Sequence, residues 1–355
     1  MKRGMTTRPG IENGRRRGTR ASGFGALRTA ALLCLLAAIP VSCSGPTVAA
    51  FGEVNDVVVL AGDEAAGRAA EILSGALTAK SSWLVGESRF ETRVARIGEL
   101  DDFTYRRNIV LLGTWDDPEI AGIVDSRVGG LGAGDPPGSK AVEDIWGEGQ
   151  VVMAVMAGTR EELVEYLSSH GEDVVEKLVD SIRDRLARRL REELEATGFD
   201  RDMEARFGWS LGPPSGYDLH PRNESDGLVF FRKTKPDRTV FVHWLPGTAE
   251  EVTEELMAER RDEIGSLYFD GDAIEWRRQL VVEKVRLAGR PALCMSGWWG
   301  NRELVGGGPF RSYCFHVPSQ QRIYLIDAAL FAPGLDKTEL MRNLDAALHT
   351  FRAAD

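Results

Sequence analysis

The sequence predicts an α+β protein, in which an N-terminal α/β layer domain is followed by an antiparallel sheet with helices on one side. Three apolar runs, each followed by a helical pattern, indicate the first part. After Phe207, successive strand patterns separated by short turn segments favour antiparallel pairing. The predicted divisions are a signal peptide at 1–42, a lipid-anchored linker at 43–55, the α/β domain at 56–205 and the antiparallel α+β domain at 206–355.

The N-terminal segment has the features of an export signal. A basic segment, an apolar segment and a small-residue site follow one another in the order that export requires. Arg28 and Pro40 interrupt the apolar run at 26–41, which leaves it too short to cross about 30 Å of hydrocarbon comfortably. We therefore expect export, with cleavage just before Cys43.

Residues 41–43 (VSC) resemble the lipobox of bacterial lipoproteins, in which the cysteine is lipidated and becomes the new N-terminus. The resemblance implies that Cys43 carries palmitate and anchors the protein in a membrane. Pro40 departs from the lipobox pattern, which usually has leucine at that position. Ser44 resembles the sorting signal of outer-membrane lipoproteins, so we expect a cell-envelope protein on the outer membrane, facing the periplasm or the surface.

The charge balance argues against nucleic acid as a partner. The whole chain has a formal net charge of -10, and residues 1–42 contain eight of its basic side chains but one acid, so the mature chain is more acidic still. A polyanion needs a cationic face to displace its counterions. The dense basic run at 183–192 is interleaved with acids at helical spacing, and no nucleic-acid partner is expected.

The α/β part is predicted from three buried-strand patterns at 56–60, 108–113 and 150–158. Thr159 and Glu162 form a capping-box pattern before a long amphipathic helix, which Gly198 is expected to end. The glycine-rich stretch at 129–139 has no nucleotide-binding pattern, because no strand runs into it and no helix opens from it. It is predicted to be a mobile loop.

In the antiparallel part, the strand patterns at 291–299 and 310–317 indicate a hairpin centred near Leu304. This register places Cys294 opposite Cys314, and export to an oxidising compartment makes a disulfide between them possible. Two free buried thiols are the alternative. Asp327, inside a later strand, is expected to pair with Arg311 or Arg322.

The candidate ligand surface comprises Trp244, Trp299, Asp116 and Asp117. Flat indole rings can stack on sugars, although core packing accounts for most tryptophans. The two aspartates follow a strand, where open α/β sheets present ligands, but Pro118 favours a helix cap instead. The five histidines have no metal-ligand spacing, so no catalytic set, metal or cofactor is predicted.

Four segments carry a resemblance to a family of bacterial lipoproteins of unknown function, domain of unknown function 4837. They are GGGPFRSY at 306–313, IDAALFAPGLDKTELMRNLDAAL at 326–348, EARFGWSLGPPSGYDL at 204–219 and NDVVVLAGD at 55–63. The resemblance extends over the mature chain and implies an architecture and an export signal, but no activity and no functional residue. The element order after Phe207 is also similar to that of photosystem-accessory-like α+β domains, which mostly bind partners.

Two functions remain open at this point. The preferred interpretation is a non-enzymatic binding or assembly module of the envelope, because no convergent catalytic set is visible. The alternative is a hydrolase or carbohydrate-binding protein that acts on envelope polymers. The expected partners are the membrane, through the lipid anchor, and an envelope protein or the cell wall.

Overall fold

The computed structural model describes residues 48–62, 67–81, 84, 86–223, 227–301 and 303–354, with side chains left out at 221–223. The predictions of a signal peptide, a lipobox and lipidation at Cys43 lie outside the described residues. All of the described residues belong to one unit, Pro46–Asp355. Two main sheets fall on either side of the predicted division at residues 205 and 206, and the division into domains itself stays a prediction.

The helices and strands are numbered in chain order. They are β1 (Asp56–Ala61), α1 (Arg68–Leu77), β2 (Glu91–Arg96), α2 (Leu100–Phe103), β3 (Asn108–Thr114), α3 (Pro118–Ile123), β4 (Gly138–Glu143), β5 (Val151–Ala157), α4 (Arg160–Thr197), α5 (Phe199–Phe207), β6 (Trp209–Ser210), β7 (Asp218–Asn223), β8 (Leu228–Lys233), β9 (Asp237–Pro246), α6 (Glu254–Tyr268), β10 (Asp272–Ile274), β11 (Val281–Leu287), β12 (Arg290–Asn301), β13 (Gly306–Val317), β14 (Arg322–Phe331), α7 (Thr338–Leu348) and β15 (Arg352–Ala353).

The first sheet has the strand order β2-β1-β3-β5-β4. Its three central strands pair in parallel and are buried almost throughout, because α1 and α4 cover one face and α2, α3 and the segments beside them cover the second. The three predicted strand and helix units are therefore confirmed. The stretch predicted as a loop at 129–139 differs at its end, since Gly138 and Ser139 begin β4, an antiparallel edge strand beside β5.

Helix α4 begins and ends where the sequence predicts. The Thr159 side chain accepts a hydrogen bond from the Glu162 N–H, and the Glu162 carboxylate accepts one from the Thr159 N–H. Gly198 ends the helix with φ 74, a left-handed conformation that glycine adopts without a steric penalty. Leu178 and Ile182 are buried against the first sheet.

The second sheet is antiparallel, with the order β10-β12-β13-β14-β9-β8-β7 and β11 beside β12. The α+β class is confirmed, but the expectation of helices on one side of this sheet is wrong. Helix α7 packs on one face through Leu344 and Leu348, whereas α6 packs on the other through Met257 and Ile264. The central strands are apolar on both faces, and each face therefore needs its own cover.

The hairpin of β12 and β13 is confirmed, but its register removes the predicted disulfide. Cys294 lies opposite Tyr313, and Cys314 lies opposite Leu293. Because side chains alternate along a strand, this shift of one residue places the thiols on opposite faces of the sheet. Both cysteines are buried and free, and burial raises the pKa of Cys314 to about 12.

Candidate functional site

A cleft of about 230 Å³ opens on the α6 face of the antiparallel sheet. It lies at the end of the sheet where β12 and β14 finish and β9 and β13 begin. These strands form its floor, the C-terminal end of α6 and the adjoining β10 form a wall, and the turn between β12 and β13 lies at its mouth. Gly265 allows this wall to close, since a Cβ there would lie 2.1 Å from the Asp272 carbonyl oxygen.

A buried ion pair forms the base of the cleft. Arg261 of α6 donates through Nε to Asp327 Oδ2 of β14 at 2.9 Å, and the Ser312 hydroxyl donates to the same oxygen. The two charged side chains are only 6% and 1% exposed. Burial raises the pKa of Asp327, against the opposing effect of Arg261. The predicted partners Arg311 and Arg322 are wrong, because the basic partner comes from α6 and not from a neighbouring strand.

Arg261 also contacts an aromatic ring. Its guanidinium carbon lies 3.4 Å from the centroid of the Phe310 ring. A desolvated cation over an aromatic face is stabilised by about 2 kcal/mol. Helix α6 is therefore held on the sheet by one side chain that contacts both β13 and β14.

Polar side chains at the rim of the cleft are already oriented. Arg232 donates to both carboxylate oxygens of Asp237, at 2.9 and 2.6 Å. Asn301 donates to Asp272 Oδ1 at 2.8 Å. Burial raises the pKa of Asp272, and the bond from Asn301 opposes that rise. These planar groups offer donors and acceptors beside the opening.

Aromatic rings line the walls. Phe241 and Phe269 are stacked with centroids 6.0 Å apart, and Trp299 lies 6.3 Å from Phe331. The Trp299 Nε1 atom is buried and has no hydrogen-bond partner among the residues that the structure describes. A buried indole N–H normally finds a partner, and this unpartnered donor lies in the wall of the cleft.

The mouth of the cleft is apolar. Leu304 and Val305, in the turn between β12 and β13, are exposed although both side chains are large and apolar. Carboxylates and two arginines surround the interior, with more acidic than basic side chains. The cleft thus combines apolar contact surface with a few convergent polar groups, the composition typical of small-ligand sites.

A second polar cluster lies on the opposite face of the sheet, beneath α7. Tyr313 Oη donates to Asp345 Oδ1 at 2.7 Å, and His349 Nε2 lies 3.1 Å from the same hydroxyl. Arg311 Nε lies 3.4 Å from Asp345 Oδ1. Burial opposes ionisation of Asp345, but Arg311 and the other nearby cations leave its pKa below the usual value. Burial lowers the pKa of His349 to about 4.

The structure separates the four residues of the predicted ligand surface. Trp299 lines the cleft, whereas Trp244 packs with Phe207 and Trp209 against the core on the opposite face. Asp117 caps α3 by accepting from the N–H groups of its first turn, and Asp116 is exposed beside it. Neither aspartate lines the cleft.

The histidines and acids form no metal site among the described residues, where no group of three or more His, Cys, Asp or Glu side chains is suitably placed. His243 lies in β9, with Nδ1 3.0 Å from the Gly227 carbonyl oxygen. No helix in the described part of the chain is long and apolar enough to span a membrane.

Sequence reasoning missed most of the cleft. Arg261, Asp272 and Asn301 come from separate elements that meet only in the tertiary structure. The one available signal was Asp327, a charge within an apolar strand, which indicates a buried partner somewhere. The segment at 306–313 supplies Phe310 and Ser312 to the surroundings of the buried ion pair at the base of the cleft. It also supplies Tyr313 to the polar cluster beneath α7. Both polar clusters therefore contain residues of a segment that carries the family resemblance.

Comparison with solved structures gives low similarity. The Ran-binding protein Mog1p of Saccharomyces cerevisiae matches 42% of this chain and 91% of its own, at 8% identity and a TM-score of 0.31. LpqN of Mycobacterium tuberculosis, a protein involved in cell envelope biogenesis, matches 40% of this chain and 81% of its own, at 14% identity and a TM-score of 0.27. A protein of Bacteroides thetaiotaomicron matches 42% and 46%, at 13% identity and a TM-score of 0.26. Likenesses at these TM-scores indicate neither the fold nor the function of this chain.

No curated protein sequence matches the chain. The predicted resemblance to a family of unknown function was expected over the whole mature chain, and it remains a prediction before residue 197. Its bacterial and lipoprotein aspects also stay predictions. Residues 197–350, which contain the cleft and both polar clusters, match the model of the family described as a domain of unknown function (DUF4837).

Proposed function

We propose that the chain is an exported, lipid-anchored envelope protein that binds a saccharide segment in the cleft beside Trp299 and does not transform it. The observation that carries the proposal is the position of Trp299, whose ring lies in the cleft and whose buried Nε1 lacks a partner among the described residues. The C–H face of a sugar packs on an aromatic ring, and its hydroxyl groups accept and donate hydrogen bonds.

The polar groups at the rim support this ligand class. Asp272 with Asn301, and Arg232 with Asp237, present planar amide, carboxylate and guanidinium groups that can each bond to more than one hydroxyl. Because these groups already hold one another, binding costs little further ordering of the side chains. The excess of carboxylates in the cleft disfavours a polyanionic ligand.

Replacing Trp299 by alanine is expected to lower the affinity for soluble cell-wall saccharide fragments at least tenfold, or about 1.4 kcal/mol. The loss follows from removal of the stacking ring. Isothermal titration calorimetry measures it. Trp276, which is exposed just after β10 and does not line the cleft, provides the matched control.

The Trp276→Ala variant should bind as the wild type does. Equal affinity of the wild type and the Trp299→Ala variant would contradict the proposal, and so would the absence of saccharide binding by the wild type.

A hydrolase is the second candidate, because burial raises the pKa of Asp272, which is the direction that a general acid requires. Release of reducing ends by the wild type, and not by Asp272→Asn, would favour the hydrolase.

The lipid anchor is tested separately. In cells fed labelled palmitate, the wild-type protein should incorporate label and the Cys43→Ala variant should not, because lipoprotein processing acylates the cysteine that follows the cleavage site. Cell fractionation shows whether the wild-type protein and the Cys43→Ala variant are both exported. Equal labelling of the two proteins would contradict lipidation at Cys43.

A further inference from the structure

A second cavity, of about 160 Å³, lies between α4, α7 and the antiparallel sheet. It is on the α7 face, opposite the saccharide cleft, and therefore belongs to no part of the proposed function. Four arginines line it, at 89, 183, 311 and 342, together with the carboxylates of Glu176, Glu283 and Asp345.

Three of the four arginines have acidic partners. Arg89 lies 2.5 Å from Glu172 and 3.7 Å from Glu176. Arg183 contacts Asp180 at 2.7 Å and Asp184 at 3.2 Å, and Arg311 contacts Asp345 at 3.4 Å. Their charges are thus balanced within the protein.

Arg342 differs from the other three. Its Nη2 donates to the Arg89 carbonyl oxygen at 2.8 Å, and its guanidinium carbon lies 4.2 Å from the centroid of the Phe90 ring. Its Nε and Nη1 atoms are buried and have no hydrogen-bond partner among the described residues. Among the described residues no carboxylate oxygen lies within 4.0 Å of it, and Asp345, Glu176 and Glu339 favour its charge only from longer range. Arg342 therefore lines the cavity with a buried charge that has no close counterion and with two unpartnered donors.

A buried cation without a counterion is costly, and the cost falls when an anion binds. Burial lowers the pKa of Arg342 to about 10, which leaves the guanidinium charged at neutral pH. The cavity has room for a group the size of phosphate together with waters. Guanidinium groups bind oxyanions through charge-assisted hydrogen bonds.

We propose that the cavity between α4 and α7 binds a small oxyanion, a phosphate or phosphoryl group, on the free donors of Arg342. The enclosing helices limit the size of the ligand. The carboxylates that line the cavity repel anions, so binding is restricted to an anion that Arg342 contacts directly.

The test is the response of the full chain to inorganic phosphate at constant ionic strength, with chloride as the replaced anion. The melting temperature of the wild type should rise with phosphate concentration and saturate. Arg342→Met should abolish the response or raise the Kd for phosphate at least tenfold. Arg352→Met, which removes an exposed arginine paired with Glu195, is the matched control and should respond as the wild type does.

The stability of the Arg342→Met variant without phosphate distinguishes a structural role of Arg342 from an anion-binding role. Because the Met variant removes a buried charge that has no close counterion, it should be no less stable than the wild type in chloride and less stable than the wild type in saturating phosphate. Destabilisation by the same amount in both salts would overturn the proposal. An absent phosphate response in the wild type would overturn it as well.

A third arm distinguishes two sources of the phosphoryl group. Co-sedimentation with phosphatidylglycerol vesicles that is lost in Arg342→Met assigns the site to a lipid headgroup. Phosphate binding without Arg342-dependent co-sedimentation assigns it to a free anion. Both results are independent of Trp299, so failure here leaves the saccharide proposal unaffected.

Discussion

Replacing Asp327 by alanine is expected to destabilise the protein by about 3 to 5 kcal/mol. Asp327 is the acidic partner of Arg261, and both side chains are buried at the base of the cleft. The substitution leaves the buried guanidinium without its close counterion, and it also removes the acceptor of the Ser312 hydroxyl. Urea unfolding followed by circular dichroism gives the difference in free energy of unfolding.

The rim of the same cleft supplies the matched control. Asp237 pairs with Arg232, but these side chains are 32% and 47% exposed, so solvent screens the pair. Asp237→Ala should lower the free energy of unfolding by about 1 kcal/mol or less. If Asp327→Ala cost no more than Asp237→Ala, the buried pair would not hold α6 on the sheet.

A double variant separates the charge from the packing. In Arg261→Met with Asp327→Leu, apolar side chains replace both charges. Buried pairs replaced in this way often keep their stability, because neither charge is left alone. We therefore expect the double variant to be more stable than Asp327→Ala. A double variant as unstable as the single one would indicate that lost packing, and not the unpaired charge, causes the destabilisation.

The sequence predicts the local features of this fold well, because they depend on neighbouring residues. The buried runs of β1, β3 and β5 have no polar alternation, and this pattern is typical of strands covered on both faces. Thr159 and Glu162 are three residues apart, so their capping box is visible without any tertiary information.

The register of the β12 and β13 hairpin shows where local reasoning fails. The predicted centre at Leu304 and the observed pairing of Asn301 with Gly306 differ by one residue in the pairing. Turn composition alone does not resolve such a difference, yet it moves every side chain of one strand to the other face. For this reason the predicted pairing of Cys294 with Cys314 does not occur.

The cleft was not predictable because its residues meet only through α6. The partners Arg261 and Asp327 are 66 positions apart in the chain. Nothing in the local pattern of α6 indicates that this helix covers the face opposite α7. A charge in a buried strand predicts that a partner exists, whereas the identity of the partner depends on the helix packing.

Acid should destabilise the protein through His349, the second large effect that we expect. Burial lowers the pKa of His349 to about 4, against an ordinary value of 6.5 in the unfolded chain. Between these pH values the unfolded state binds a proton that the folded state does not. The free energy of unfolding must therefore fall as the pH decreases through this range. From pH 7.5 to 4.5 the contribution is about 2 to 3 kcal/mol.

The groups around His349 support this sign. Asp345 favours the protonated imidazole, but Arg183 and Arg311 oppose it, and burial is the largest effect. The His349 side chain is 12% exposed, so water screens these charges only weakly. The neutral ring lies next to the Tyr313 hydroxyl, a contact that does not require a charge.

The His349→Gln variant tests the effect, because an amide can keep the contact with Tyr313 but does not titrate. Urea unfolding at pH 7.5 and 4.5 should show that the wild type loses about 2 to 3 kcal/mol more than the variant. His170→Gln, on an exposed surface of α4, should follow the wild type. Identical pH dependence in the wild type and His349→Gln would mean that the folded protein accepts the proton as readily as the unfolded chain does. The cluster beneath α7 would then not keep His349 neutral.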